Sequence, residues 1–182
     1  MALVLDDITG PNGLTQNVGG TTGRIRFCPV EDFLVIAKKA EMSDSPAPTD
    51  PLDLINISDD HTFTSPKGWY ESYITRDTGK VDFTMNQDRD TTGCEVKFEG
   101  MVPGAEASID ATLTLAANNK LIVEIELADG KWLQIGSQRF PAELKYSWSS
   151  ENNGKGERGW KVSVTGFETT KQYYTGVFTM HS

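Results

Sequence analysis

The stretch "KLIVEIELADGKWLQIGSQRFPAEL", residues 120–144, decides the fold class. Leu121, Val123, Ile125 and Leu127 alternate with polar partners Glu124 and Glu126, the period of two by which a β-strand separates its faces. "ADG" at 128–130 is tight-turn chemistry, so "KLIVEIELA" and "KWLQIGS" read as a hairpin. Gly136-Ser137 ends the second strand, and Pro141-Ala142 opens the next, "AELKYSWSS". "WKVSVTGF" from Trp160 supplies another alternating run. The segment is framework, with no catalytic group at its turns.

Working outward, "KVDFTMNQ" and "CEVKFEGMV" alternate in the same way across "DRDTTG" and predict a second hairpin. After Pro103-Gly104, "AEASIDATLTLAANN" fits two templates. Ile109, Leu113 and Ala116 lie on a helical face, while Ile109, Ala111, Leu113 and Leu115 also fit a strand. The preceding Pro-Gly, the early acids and the closing Asn pair favour a helix. Upstream, "RIRFCPVEDFLVIA" is strand-like, with Pro29 marking a bulge or break. The predicted fold class is mainly β (α+β), an antiparallel β-sandwich or barrel with one flanking helix and a long loop excursion.

Two segments stand apart from this body. Residues 1–23 form a Gly-rich N-terminal arm without periodicity. Residues 40–80 read as an excursion that leaves the body and returns. It opens on "AEMSDSPAPTDPLD", with three prolines and four acids, and carries a short strand in "LINISDD" and an aromatic arm in "HTFTSPKGWYESYITRDTGK". Its composition predicts few core contacts, so its removal is expected to leave a folded monomer. Trp69, Tyr70 and Tyr73 on this excursion are the candidate subunit interface, because a loop exposing large rings needs a partner.

At 182 residues the chain suits a single domain, residues 1–182, large enough to bury a core. Hydrophobic content of 37% with 24% charged residues excludes wholesale disorder. No apolar run has the length of a membrane helix, and "MALVLDDITGPNG" has no secretory pattern, so synthesis and retention in a reducing cytosol are expected. Cys28 and Cys94 sit in strand-like runs and are expected to be buried free thiols. The net charge of −9, with scattered lysines, argues against a grip on a phosphate backbone.

Motifs that carry chemistry are missing. His61 and His181 have no partner at zinc-ligand spacing. Asn86, Asp88 and Asp90 alternate as in a calcium loop, but Thr91 stands where glycine is needed and Lys97 where an acid is needed. "IGSQR" lacks the spacing of a nucleophile elbow, and "GKGERG" lacks a strand–loop–helix frame. Glu124 and Glu126 share one strand face, which reads as the wet side rather than a carboxylate pair for hydrolysis. No enzyme, cofactor or metal site is expected. Exposed tryptophans leave a carbohydrate- or protein-binding sandwich module as an alternative.

From about Lys80 to Phe178 the order of features resembles the tail-tube and tail-completion proteins of bacteriophages. The matching run is a hairpin, Pro-Gly and a helix, "NNKLIVEIELADGKWLQIGS", "FPAEL", a Gly-rich tip and "GWKVSVTGFETTKQYYTGVF". The resemblance implies a virion structural protein made in the bacterial cytoplasm. It would form homo-oligomeric rings, commonly hexameric, stacked into a tube with other tail proteins. A tail terminator, a connector or the inner tube of an injection apparatus shares this physics. Residues 40–80 would be the loop that reaches a neighbour, although "SPAPTDP" stiffens it. Duplex DNA would pass through without specific binding, and Glu124 and Glu126 are candidates for an acidic lumen.

Overall fold

The computed structural model describes residues 19–88, 91–150 and 158–181. Most of the N-terminal arm, residues 89–90 (with Asp90 of the calcium-like alternation) and the Gly-rich residues 151–157 lie outside the described residues. The chain runs β1 (Thr21–Pro29), β2 (Phe33–Val35), β3 (Asn56–Ile57), β4 (Thr62–Phe63), β5 (Tyr70–Tyr73), β6 (Lys80–Asp88) and β7 (Thr91–Pro103). It continues with α1 (Ala107–Ala117), β8 (Leu121–Leu127), β9 (Trp132–Ile135), β10 (Glu143–Ser149), β11 (Gly159–Glu168) and β12 (Gln172–Tyr174). The fold is mainly β, of the α+β kind, as the alternation predicts.

Two large sheets and one small one form. The first has the order β3-β12-β9-β8-β1-β5, the second β10-β11-β7-β6, and β2 pairs with β4 alone. Pairing is antiparallel except between β12 and β3. The β8–β9 hairpin turns at Gly130, whose φ of +84° favours a residue without Cβ. Register then sets which side chains meet. Ile25, Phe27, Val123, Ile125, Leu133 and Ile135 of the first sheet share one apolar cluster with Val96, Phe98, Leu144, Val162 and Val164 of the second.

Helix α1 closes this cluster with Leu113 and Ala116, the face the sequence predicts. Its end is secured by polar side chains: Asn118 Nδ2 donates to Thr114 O at 2.9 Å and Asn119 Nδ2 to Leu115 O at 3.0 Å. Trp160, 2% exposed, belongs to the same core and donates from Nε1 to Asp110 Oδ1 at 3.3 Å. Cys28 and Cys94 are both buried and free. Burial pushes the Cys28 thiol up to about 12.

Residues 40–80 depart from the expectation of a dispensable loop. Ile57, Trp69 and Ile74 are 0% exposed and His61 is 2% exposed. The aromatic arm is not exposed as a whole: its β5 pairs with β1, Phe27 opposite Tyr70 and Arg24 opposite Tyr73. The aromatic half of the segment is therefore a second layer over the outer face of the first sheet, where Phe33, Phe63, Trp69 and Phe178 cover Cys28 and Ile122. Only the Pro-rich first part behaves as a surface loop, leaving Met42 and Leu52 more than half exposed and burying Pro48 alone among residues 41–50.

Candidate functional site

The second layer changes the meaning of β8. With aliphatic residues packed on one face and the aromatic layer on the other, β8 is buried on both sides, and Glu124 is 0% exposed. Glu124 and Glu126 therefore do not line a lumen. Glu126 is 9% exposed and held by a bidentate pair from Arg24, at 2.7 Å from Nε and 2.5 Å from Nη2, with Thr22 also donating to it. The Arg24 guanidinium holds the Glu126 carboxyl below the usual carboxylate range.

Trp69 likewise does not face a neighbour. It meets Phe33 at 5.5 Å, His61 at 5.5 Å, Phe63 at 5.8 Å and Phe178 at 5.9 Å between ring centroids. Its main chain bonds Thr179 O and the His181 amide, tying the C-terminal segment down. Tyr70 is half-buried, stacked on Phe27 and on the His181 ring. Tyr73 alone of the three is well exposed, at 55%.

A chain of polar side chains lies between the layers. The Ala37 amide donates to His61 Nδ1 at 3.1 Å, so Nε2 carries the hydrogen and donates to Gln134 Oε1 at 3.1 Å. Gln134 Nε2 donates to Gly136 O at 2.8 Å. The His61 ring stacks on Tyr174 with centroids 4.6 Å apart, and the Tyr174 hydroxyl receives the His61 amide and donates to Val177 O. Burial lowers the His61 pKa to about 4, so the ring is neutral at pH 7.

Glu124 ends one side of this chain, 4.0 Å from His61 Nε2, with neither carboxyl oxygen hydrogen-bonded. Burial raises its pKa well above the ordinary value against a weaker opposing pull from Arg26, its cross-strand neighbour. Arg26 is itself committed elsewhere: it stacks between the rings of Trp132 and Phe178 and pairs with Glu71 at 3.0 Å. Burial thus favours the protonated Glu124 carboxyl and the neutral His61 ring over a charged pair between them. The opposed shifts both act toward the uncharged forms, which is what a low-dielectric layer favours.

Glu168 lies at the other end. It is 3% exposed, accepts from Gln172 Nε2 at 2.6 Å on one oxygen, and leaves Oε1 without a hydrogen bond of ordinary geometry. Burial pushes its pKa up to about 7, against the pull of the nearby Gly136 amide and Lys39. A raised folded-state value means that its stabilising, protonated form is complete below pH 4.5 and lost as pH rises through 7. Glu168→Gln is accordingly expected to match the parent near pH 4.5 and to exceed it in stability by up to about 3 kcal/mol at pH 8. Urea melts at the two pH values measure this, and equal differences at both would contradict a titrating Glu168.

The second large sheet carries a different surface. Its outer face alternates exposed Lys80, Lys97, Lys145 and Lys161 with exposed Asp82, Glu95, Glu99 and Glu143, so its charge cancels. The acid surplus lies elsewhere: residues 31–60 hold eight acids and two lysines. β6, nine residues long, is the edge of that sheet. Among the described residues no main-chain bond reaches its outer side. Met85 on it is 56% exposed.

Among the described residues no three His, Cys, Asp or Glu side chains are grouped for a metal ion, and no helix is long and apolar enough to cross a membrane. Comparison with protein-family models, with curated proteins and with solved structures gives no match.

Proposed function

We propose that the chain is a virion structural protein of a bacteriophage tail, a subunit that closes into rings and stacks into a tube through which duplex DNA passes. The observation that carries this reading is the free edge of β6. A long strand edge with unpaired N–H and C=O groups is a template for pairing, and monomers normally blunt it. In a ring the β6 edge of one copy would meet a different surface of the next, a heterologous contact that closes by rotation. The element order from Lys80 to Phe178 supports the tail assignment, and six-fold symmetry rests on that resemblance alone.

The interface moves accordingly. β6 with Met85, together with Tyr73 at the β5 edge of the other sheet, replaces Trp69 and Tyr70 as the contact surface. The acids of residues 31–60, rather than Glu124 and Glu126, are the groups able to repel DNA, and the balanced outer face of the second sheet offers it no basic stripe. Met85→Lys tests the edge. It is expected to change stability by no more than about 0.5 kcal/mol, as a surface substitution does, while preventing assembly in mass photometry at micromolar protein. Assembly unaffected by Met85→Lys contradicts the β6 contact.

A carbohydrate- or protein-binding module is the second reading. It is favoured by an open depression of about 580 Å³ lined by Trp132, Tyr173 and Phe178. Glycan-array signal from a strictly monomeric protein would select it.

A further inference from the structure

A second cavity, of about 320 Å³, lies where the start of the excursion crosses the end of β11. Ile36 and Ala37 form one wall, Phe140 another, and buried Glu168 and Gln172 its floor. Lys39 and Arg139 stand at the lining as well, and neither makes an ion pair among the described residues. Arg139 is laid over the Phe140 ring, 5.5 Å from its centroid. The floor therefore offers an acceptor, Glu168 Oε1, that has no hydrogen bond of ordinary geometry although the Gly136 amide and Ser137 lie beside it, while the lining offers two cations that form no ion pair at contact distance.

Leaving a buried carboxyl oxygen without a well-placed donor costs free energy, as does burying a carboxylate whose nearby cation, Lys39, forms no contact ion pair with it. A ligand that places a cationic nitrogen at the floor and an anion toward the lining would relieve both. Neither a simple anion nor a simple cation does so. An anion would meet the Glu168 carboxylate, and a cation alone would meet Lys39 and Arg139. The apolar walls suit a short hydrocarbon side chain, and the volume fits a molecule the size of an amino acid.

We propose that this cavity binds a small zwitterion of the amino-acid class, its ammonium group donating to Glu168 Oε1 and its carboxylate set toward Lys39 and Arg139. The opposite end of the polar chain, at Glu124, has no such opening, because the aromatic layer seals it. The groups that act on Glu168 are Lys39, the Gly136 amide, Ser137, Gln172 and the Cys94 thiol on β7, and Lys38, Glu41 and Arg139 also belong to the cavity lining. Glu168 has to be ionised to hold an ammonium group, so occupancy rises with pH through about 7.

The test is ligand-observed saturation-transfer NMR on the full chain, with the standard amino acids offered singly at millimolar concentration. For any that binds, the matching amine without the carboxylate and the matching acid without the amine are compared, as with leucine, 3-methylbutylamine and 4-methylpentanoate. The expected result is signal from the amino acid that is at least tenfold stronger at pH 8 than at pH 5.5. It should be lost in Glu168→Gln and reduced severalfold in Lys39→Ala, with both variants retaining a cooperative melt. The two truncated analogues should bind far more weakly. No signal from any amino acid overturns the proposal, as does equal binding of the acid analogue, which would mean an anion site only. Binding that survives Glu168→Gln also overturns it.

Discussion

Trp69→Ala should destabilise the protein by about 3–5 kcal/mol, the usual cost of removing a large buried aromatic side chain. The ring is 0% exposed and is the piece on which Phe33, His61, Phe63 and Phe178 converge. Its loss opens a cavity between the first sheet and its outer layer, and Cys28 and Ile122 beneath lose their cover. Trp69→Phe should cost much less, because Nε1 has no hydrogen-bond partner to lose. Urea melts of the three proteins measure the difference. A Trp69→Ala protein as stable as the parent, yet unable to assemble, would restore the ring to a subunit interface.

A larger effect is expected from removing residues 40–80 and bridging the gap with Gly-Ser. The deletion takes away Ile57, His61, Trp69 and Ile74 from the interior, and with β5 the partner of β1 at the sheet edge. It also exposes Glu124, whose raised pKa depends on that cover. Total stability of a domain is only about 5–15 kcal/mol, so these losses together should abolish the cooperative melt. Removing only residues 41–49, which contain no residue of β1–β5, should leave it in place. Circular dichroism against temperature separates the two outcomes, and a normal melt from the long deletion would contradict the layered core.

The parts of the fold legible in the sequence are those in which period-two alternation runs for seven residues or more, as in β6, β7, β8, β10 and β11, together with the four-residue β9, which the tight turn at Gly130 ties to β8. α1 was legible from its ends, where Pro-Gly and the Asn pair bracket the apolar face. β3, β4 and β12 have two or three residues each and no period to detect. Their place comes from tertiary pairing, such as Tyr174 opposite Trp132 on one side and Ile57 on the other.

The error over Glu124 has the same root. Alternation reports that the two faces of a strand differ, and a glutamate there implies water only if nothing covers its side. The signal that a cover existed was present in the excursion: Ile57, Phe63, Trp69 and Ile74 are too apolar for a loop whose first half is Pro- and Asp-rich. Glu168 gave no such signal, because its burial depends on how the end of β11 meets Gly136 and the 36–39 segment.

Assembly through the edge of β6 is the central claim, and negative-stain electron microscopy of the purified 182-residue chain tests it most directly. Annular particles, or tubes built of stacked rings, are the predicted result, with Met85→Lys giving neither. A field of single particles of 20.0 kDa at every protein concentration and salt would contradict the ring-forming account.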